Sequence, residues 1–448
     1  MMGSALLRAL GLFAPVATAW SLWMWHRPDR AHAAGALLAS VWTLPSLLLL
    51  HLLAGRFGWW QFDVDGGAFL NFPVDLYLGW TLLWGAIPAL AFRRVHLALV
   101  AAVMVGIDLL LMPASRPVVR LGGTWLIGEA VGVALCLIPA QLLARWTGDG
   151  GRLAARAVLQ VLAFGGLMLG VLPAAIVEIT GGSWRPLLDR PLWQTALGVQ
   201  IMAVPAILGA SAVQEFVERG EGTPVPYDPP GRLVSSGVYA YVANPMQVAM
   251  ALVLILWGLL LQNVWVAGAA FMGIAYSAGV AAWNEGEDLA VRYGEAWGTY
   301  RRAVRRWWPR WRPWHLPAGP GVSGEAARLY VAETCAQCSP IARWFEARRP
   351  LGLLVVAAED HPTHDLRRIT YQSSDGRSTD GVAALARGLE HLHLGWAFIG
   401  CTMRLPLVCL LLQLIIDVTG AGPRVIARRA SGAHPEGSGG GIFRVKPE

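Results

Sequence analysis

SALLRALGLFAPVATAWSLWMW, running from Ser4 to Trp25, decides the fold before the rest of the chain is considered. An apolar run of this length matches the roughly 20 residues a helix needs to cross a bilayer. It is too long for the hydrophobic region of a secretory signal and has no convincing small-residue cleavage site, so it reads as a first membrane span. Comparable blocks recur at 35–54, 73–92, 95–112, 123–143, 155–178, 192–216, 246–262 and 264–283. Only Gln262 to Val264 lie at the last junction, so those two blocks form an antiparallel hairpin. Composition agrees: 55% of residues are hydrophobic and 15% charged, against about 25% charged in a soluble domain.

The formal charge of +7 does not point to nucleic acid. Arginines gather beside the apolar blocks, above all in RRAVRRWWPRWRPW (Arg301 to Trp314), where tryptophans are interleaved with them. That mixture suits a cytoplasmic membrane interface, with arginines against anionic headgroups and indoles at the boundary. Loops after odd-numbered blocks carry Arg27 and Arg30, then Arg93 and Arg94, then Arg145, Arg152 and Arg156. Loops after even-numbered blocks are less basic or carry Asp63, Asp65 and Asp189. The positive-inside rule then sets the N-terminus outside and the C-terminus in the cytoplasm, expected here of a bacterial plasma membrane.

Beyond Pro320 the polarity becomes mixed. A strand-like RLYVAE is followed by TCAQC, a helix-like SPIARWFEARR and a strand-like LLVVAA. This is a strand–CxxC–helix–strand order, as in thioredoxin-like domains. The expected fold is an all-α polytopic membrane protein of about nine transmembrane helices with a small C-terminal α/β thioredoxin-like cytoplasmic domain. Its expected parts are a multi-span body (1–216), a loop, hairpin and basic helix (217–314), a linker (315–326), the CxxC domain (327–424) and a disordered tail (425–448). Gly395 to Val418 is apolar again but contains Arg404, Pro406 and Asp417, and reads as an interfacial or core helix pair.

Two stretches around the hairpin hold the most chemistry. GTPVPYDPPGRLVSSGVYAYVANPMQ (Gly222 to Gln247) is too rich in proline and glycine for one helix and reads as a structured loop. WNEGEDLAVRYGEAWGTYRRAVRRWWP (Trp283 to Pro309) reads as helical, with Leu289, Tyr293 and Trp297 at four-residue spacing. The pair resembles the membrane methyltransferases that include isoprenylcysteine carboxyl methyltransferase and the phospholipid N-methyltransferases. The matching residues are Gly237, Tyr239, Tyr241, Asn244 and Pro245, then Glu285, Leu289, Tyr293, Gly294, Trp297 and Tyr300, over about 215–312. The sequence departs at Ala243, Gln247 and Gly286, where that family has arginine, tyrosine and a second glutamate.

The resemblance implies S-adenosyl-L-methionine held at the cytoplasmic face and a lipid or prenylated acceptor entering from the membrane. Gly237, Tyr239, Tyr241, Asn244, Pro245, Gln247, Glu285, Tyr300 and Arg301 are the cofactor-binding residues it implies. Glu285 would accept from a ribose hydroxyl or attract the sulfonium, and Arg301 would meet a carboxylate or headgroup. The sterol and steroid reductases share this kind of C-terminal part and use NADPH, but their Asn-x-x-Gly-Glu and terminal aromatic signatures are not visible here.

Cys335 and Cys338 are expected at a helix start, where a thiolate is stabilised and two-residue spacing permits a reversible disulfide. Residues 327–424 resemble the DCC family of thioredoxin-like proteins through LYVAETCAQCSPIARWF, GVAALARGLEHL and MRLPL, with Glu333 where that family usually has Asp. The pair is the expected catalytic dithiol, served by a cytoplasmic redox partner. His361, His364, His391 and His393 are expected on solvated faces, and no metal site is expected. Cys136, Cys401 and Cys409 lie in apolar runs and read as small buried side chains. Asp75, Asp108, Glu129 and Glu178 stand in or beside apolar blocks, where a carboxylate is costly and hence a functional candidate. Trp59, Trp60 and the loop to Phe72 read as an outer aromatic belt, and the first seven spans as a possible lipid-acceptor cavity. A methyltransferase, a membrane-tethered thiol–disulfide oxidoreductase on a methyltransferase-like scaffold, and a noncatalytic scaffold or transporter are the three functions these features allow.

Overall fold

The computed structural model describes residues 3–224, 230–315, 326–335 and 338–429, without the side chains of 276, 280–288 and 421. The Gly/Ser-rich tail from Ser431 to Gly441 and most of the 315–326 linker fall outside the described residues. Seven described helices are long and apolar enough to cross a membrane. They are α1 (Ser4–His26), α2 (Arg30–Phe57), α3 (Val74–Ala91), α4 (Leu97–Ala114), α5 (Trp125–Gly148), α6 (Leu153–Thr180) and α7 (Leu192–Gly220). The eighth and ninth expected spans fall on shorter apolar helices, α8 (Pro245–Leu260) and α9 (Val264–Tyr276). At 1.5 Å per residue, the 16 residues of α8 extend about 24 Å, short of a full hydrocarbon crossing of about 30 Å.

The chain forms two compact units, Met1–Gly198 with Glu221–Pro230 and Leu254–Phe271, and Val199–Gly220 with Gly231–Val253 and Met272–Glu448. In the first, small residues let helices approach closely, as membrane helices require in the absence of a hydrophobic drive between them. A Cβ on Gly79 would stand 1.8 Å from Gly11 O, and one on Gly35 2.6 Å from Ala144 O. Gly258 meets Ala267 in the same way across the α8–α9 hairpin. Asn263 ends that turn, its Oδ1 accepting from Trp265 N (3.0 Å) and Val266 N (3.1 Å). The third span is not continuous. It breaks at Gly85, where any side chain would strike Ser40 of α2. The carbonyls of Trp84 and Gly85 are met instead by Gln141 Nε2, at 2.8 and 2.9 Å.

The aromatic loop after α2 is not a lipid-facing belt. β1 (Trp60–Phe62) pairs antiparallel with a strand at Val119–Leu121, and Trp59, Trp60 and Phe72 are buried. Phe72 stacks on both His51 and Phe62, whose own rings are tilted against each other. Ring-to-ring packing inside the first unit accounts for their burial.

In the second unit, four strands form a sheet: β5 (Ala327–Val331), β6 (Leu353–Ala357), β7 (Thr370–Gln372) and β8 (Ser378–Asp380), counting as β2 to β4 the short strands Ala68–Phe69, Phe72–Pro73 and Val119–Leu121. Their order is β6-β5-β7-β8, with β5 and β6 parallel and the other pairings antiparallel. The parallel pair is joined through α11 (Ser339–Ala347), following α10 (Ala282–Ala303) in the chain. Leu329, Val331, Ala342, Phe345, Tyr371 and Leu389 form the core. The apolar stretch after 394 is a pair of helices, Leu394–Arg404 and one starting at Pro406, bent by 85°. Leu407, Leu410, Leu411 and Leu414 of the second are exposed. Leu405 is pushed out of the helical region by Pro406.

Candidate functional site

Residues 240–244 are folded onto the segment after α10. Ala243 N donates to Arg305 O (2.9 Å) and Asn244 N to Arg306 O (3.2 Å). In return Arg310 N donates to Tyr241 O (3.0 Å) and Trp314 N to Ala240 O (2.9 Å). The two motif halves, some sixty residues apart, are thereby brought together. α10 itself is not one regular helix: Gly294 has φ 54° and ψ −129°, a conformation open to glycine, and splits the helix expected around Tyr293.

The tyrosines of the motif point inward. Tyr300 Oη donates to Tyr239 O (2.9 Å), and Tyr241 Oη to Glu390 O (2.9 Å). Burial raises the phenols of Tyr241 and Tyr300 above their ordinary range, so both are neutral donors. Tyr239 is buried against Phe216. Pro245 opens α8, and Asn244 Nδ2 donates to Gln247 Oε1 (2.9 Å). Arg301 lies 5.5 Å from the centre of the Trp297 ring and donates to Val304 O. Burial, with Arg306 beside it, lowers the pKa of Arg301. The Glu285 side chain lies outside the described residues. Gly237 sits at φ +57°, and a Cβ there would stand 2.9 Å from the Glu215 carboxyl carbon.

Glu215 is the centre of an ion network that the sequence does not announce. It is fully buried and receives Arg387 Nη1 at 2.7 Å, Arg404 Nη1 at 2.9 Å and the Ser236 hydroxyl. Arg404 also holds Glu390 (2.7 Å) and Glu218 (2.6 Å), and Arg387 holds Glu218 (2.8 Å). Burial opposes the charge on Arg387, but Glu215, with Glu390 and Glu218, holds its pKa above the usual value. Arg219 extends the network through Asp375 and Ser373. Two buried arginines facing three glutamates are stable only as a set, since a stripped partner leaves an uncompensated charge.

Cys335 and Cys338 are joined by a disulfide, with Cα atoms 5.1 Å apart, at the head of α11. Both are partly exposed. Ser339 N donates to Cys335 O (3.1 Å) and Pro340 fills the first turn, where a missing N–H costs nothing. The preceding loop is held by Glu359, which accepts from Glu333 N (3.1 Å), Thr334 N (3.0 Å) and Thr334 Oγ1 (2.8 Å). Burial would raise the Glu359 carboxyl, but the bonds from Thr334 and Glu333 win and lower it. Glu333 pairs with Arg429 at 2.5 Å, which also binds Asp360 at 2.9 Å.

The histidines read as solvated divide. His364 is exposed, but His361 and His391 are buried. His391 packs face to face on His315 at 5.0 Å, its Nδ1–H donating to Leu351 O while Nε2 accepts from Tyr371. Satisfying both ring nitrogens is what allows an imidazole into a core. Among the described residues no three metal-ligating side chains converge. Comparison with known proteins gives no matching family model, no matching curated protein and no matching solved structure. The seven apolar helices define a membrane protein, and its chemistry has to be read from the sites themselves.

Proposed function

We propose that this chain is a membrane-embedded thiol–disulfide exchange protein whose active pair is Cys335 and Cys338. The observation that carries this reading is their placement: paired, partly exposed and at the start of a nine-residue helix. The strand–CxxC–helix–strand order with a parallel β5–β6 pair supports a thioredoxin-like domain, and the arginine distribution favours its cytoplasmic side. In the reducing direction the Cys335 thiolate attacks a client disulfide. A mixed disulfide forms and one client sulfur leaves as thiolate. The Cys338 thiolate then attacks Cys335 Sγ, releasing the second client sulfur and closing the Cys335–Cys338 bond. Two electrons pass to the client, and a cytoplasmic dithiol partner restores the reduced pair. Incubating the reduced full chain in detergent with oxidised glutathione tests this. Stoichiometric thiol oxidation, abolished by Cys335→Ser but retained by Glu285→Ala, is expected.

A second reading, S-adenosyl-L-methionine-dependent methyl transfer to a lipid-embedded or prenylated acceptor, is favoured by the joining of the two motif halves through residues 240–244 and 305–314. The residue set fits that cofactor in part. Tyr239 O, Tyr241 and Tyr300 are engaged inside the protein, and Asn244 is bonded to Gln247 and Arg301 to Val304 O, so binding would require those last two contacts to open. Calorimetry with S-adenosyl-L-methionine on the detergent-solubilised chain separates the readings. Binding lost in Asn244→Ala and Glu285→Ala supports methyl transfer, and no heat from a folded wild type rejects it.

A further inference from the structure

Of Asp75, Asp108, Glu129 and Glu178, two are explained by their surroundings. Asp75 accepts from Arg8 at 2.7 Å, and Glu178 is exposed. Asp108 and Glu129 are only 1% and 5% exposed, neighbour one another, and line a cavity at the end of the first unit. The cavity has a volume of about 40 Å³, and no lysine or arginine lines it. Its walls are largely aromatic, with Trp60, Trp80, Trp84 and Phe72 among them. Trp80 Nε1 donates to Asp108 Oδ1 at 3.1 Å. Three residues lining the cavity carry a buried polar atom that completes no hydrogen bond: Glu129 Oε1, Trp84 Nε1, and Nδ1 of His51, a residue 7% exposed. His51 Nε2 contacts Leu70 O at 2.9 Å. A carbonyl can only accept, so Nε2 carries the proton and Nδ1 of the neutral ring is an open acceptor.

We propose that this cavity is a binding site for a primary alkylammonium group. The open acceptors are a carboxylate oxygen and an imidazole nitrogen, with a second carboxylate beside them. A primary ammonium brings three N–H donors and one positive charge to match. Indole and phenyl faces add attraction for a cation. Anionic ligands are rejected by the acid pair. A hard metal ion would want six or more oxygens, which these walls do not supply.

The test uses the full chain in nanodiscs, with n-butylammonium as probe, n-butanol as its uncharged counterpart and tryptophan fluorescence as readout. Saturable quenching by butylammonium, at least about tenfold tighter than by butanol, is expected. Glu129→Gln should weaken it about tenfold or more while the thermal midpoint holds. The wild-type comparison stands even where that variant fails to fold. Competition by phosphatidylethanolamine, but not phosphatidylglycerol, in the disc would identify a lipid headgroup as the source, and its absence a free amine. Equal binding of butanol and butylammonium, or no saturable quenching in folded wild type, overturns the proposal.

Discussion

Arg387 reaches Glu215 at 2.7 Å with both side chains buried, although 172 residues separate them in the chain. The same carboxylate stands against Gly237, in the loop before α8. Because Arg387 belongs to the helix Val382–Leu389 beside the sheet, the motif loop and the CxxC domain share one ion network. Arg387→Met should therefore destabilise the second unit by roughly 3–5 kcal/mol, the usual cost of orphaning a buried charge. Differential scanning fluorimetry in detergent would show it. Glu215→Gln combined with Arg387→Met should recover part of the loss, because the pair is then removed together.

The His391 ring gives the protein an acid-side weakness. Burial pushes its pKa down to about 4, and protonation would displace the Tyr371 hydroxyl from Nε2. A group depressed in the folded state stabilises fully above its unfolded pKa, near 6.5, and loses that contribution as pH falls toward 4. Between pH 6.5 and 5 the loss is about 2 kcal/mol. A thermal midpoint that falls over this window in wild type, and falls less steeply in His391→Gln, is the expected result.

Gln141→Leu should weaken the first unit. The two carbonyls freed by the break at Gly85 would lose their donor in a buried setting, a penalty of about 1–3 kcal/mol. Lowered thermal stability, partly rescued by Gln141→Asn or by a shift of the break to regular helix, would be read in the same assay. No change at all would mean that water reaches the break.

How much of this was legible follows from distance along the chain. The seven long spans were readable because each carries its own apolar signal over eighteen or more residues. The helix pair after Gly395 was readable from Pro406 and Arg404. The break at Gly85 was not, since its compensation comes from Gln141 on another helix. Trp59, Trp60 and Phe72 were assigned to an outer belt because composition alone cannot tell a lipid-facing aromatic from one stacked on His51. Tyr239, Tyr241 and Tyr300 were recognisable as a motif, but their hydroxyl partners Tyr239 O and Glu390 O lie 61 and 149 residues away. The burial of His361 and His391 depends on packing around Tyr330 and His315, which no local pattern encodes.

The most direct measurement is a trapping experiment on the Cys338→Ser chain. Reduced, purified in detergent and exposed to a disulfide-bearing peptide, it lacks the sulfur that would resolve the mixed disulfide. Intact-mass analysis should find one peptide attached through Cys335, removable by dithiothreitol, with Cys136, Cys401 and Cys409 unmodified. Attachment spread over the other cysteines, or no adduct while the chain remains folded, would contradict a dithiol exchange site at Cys335 and Cys338.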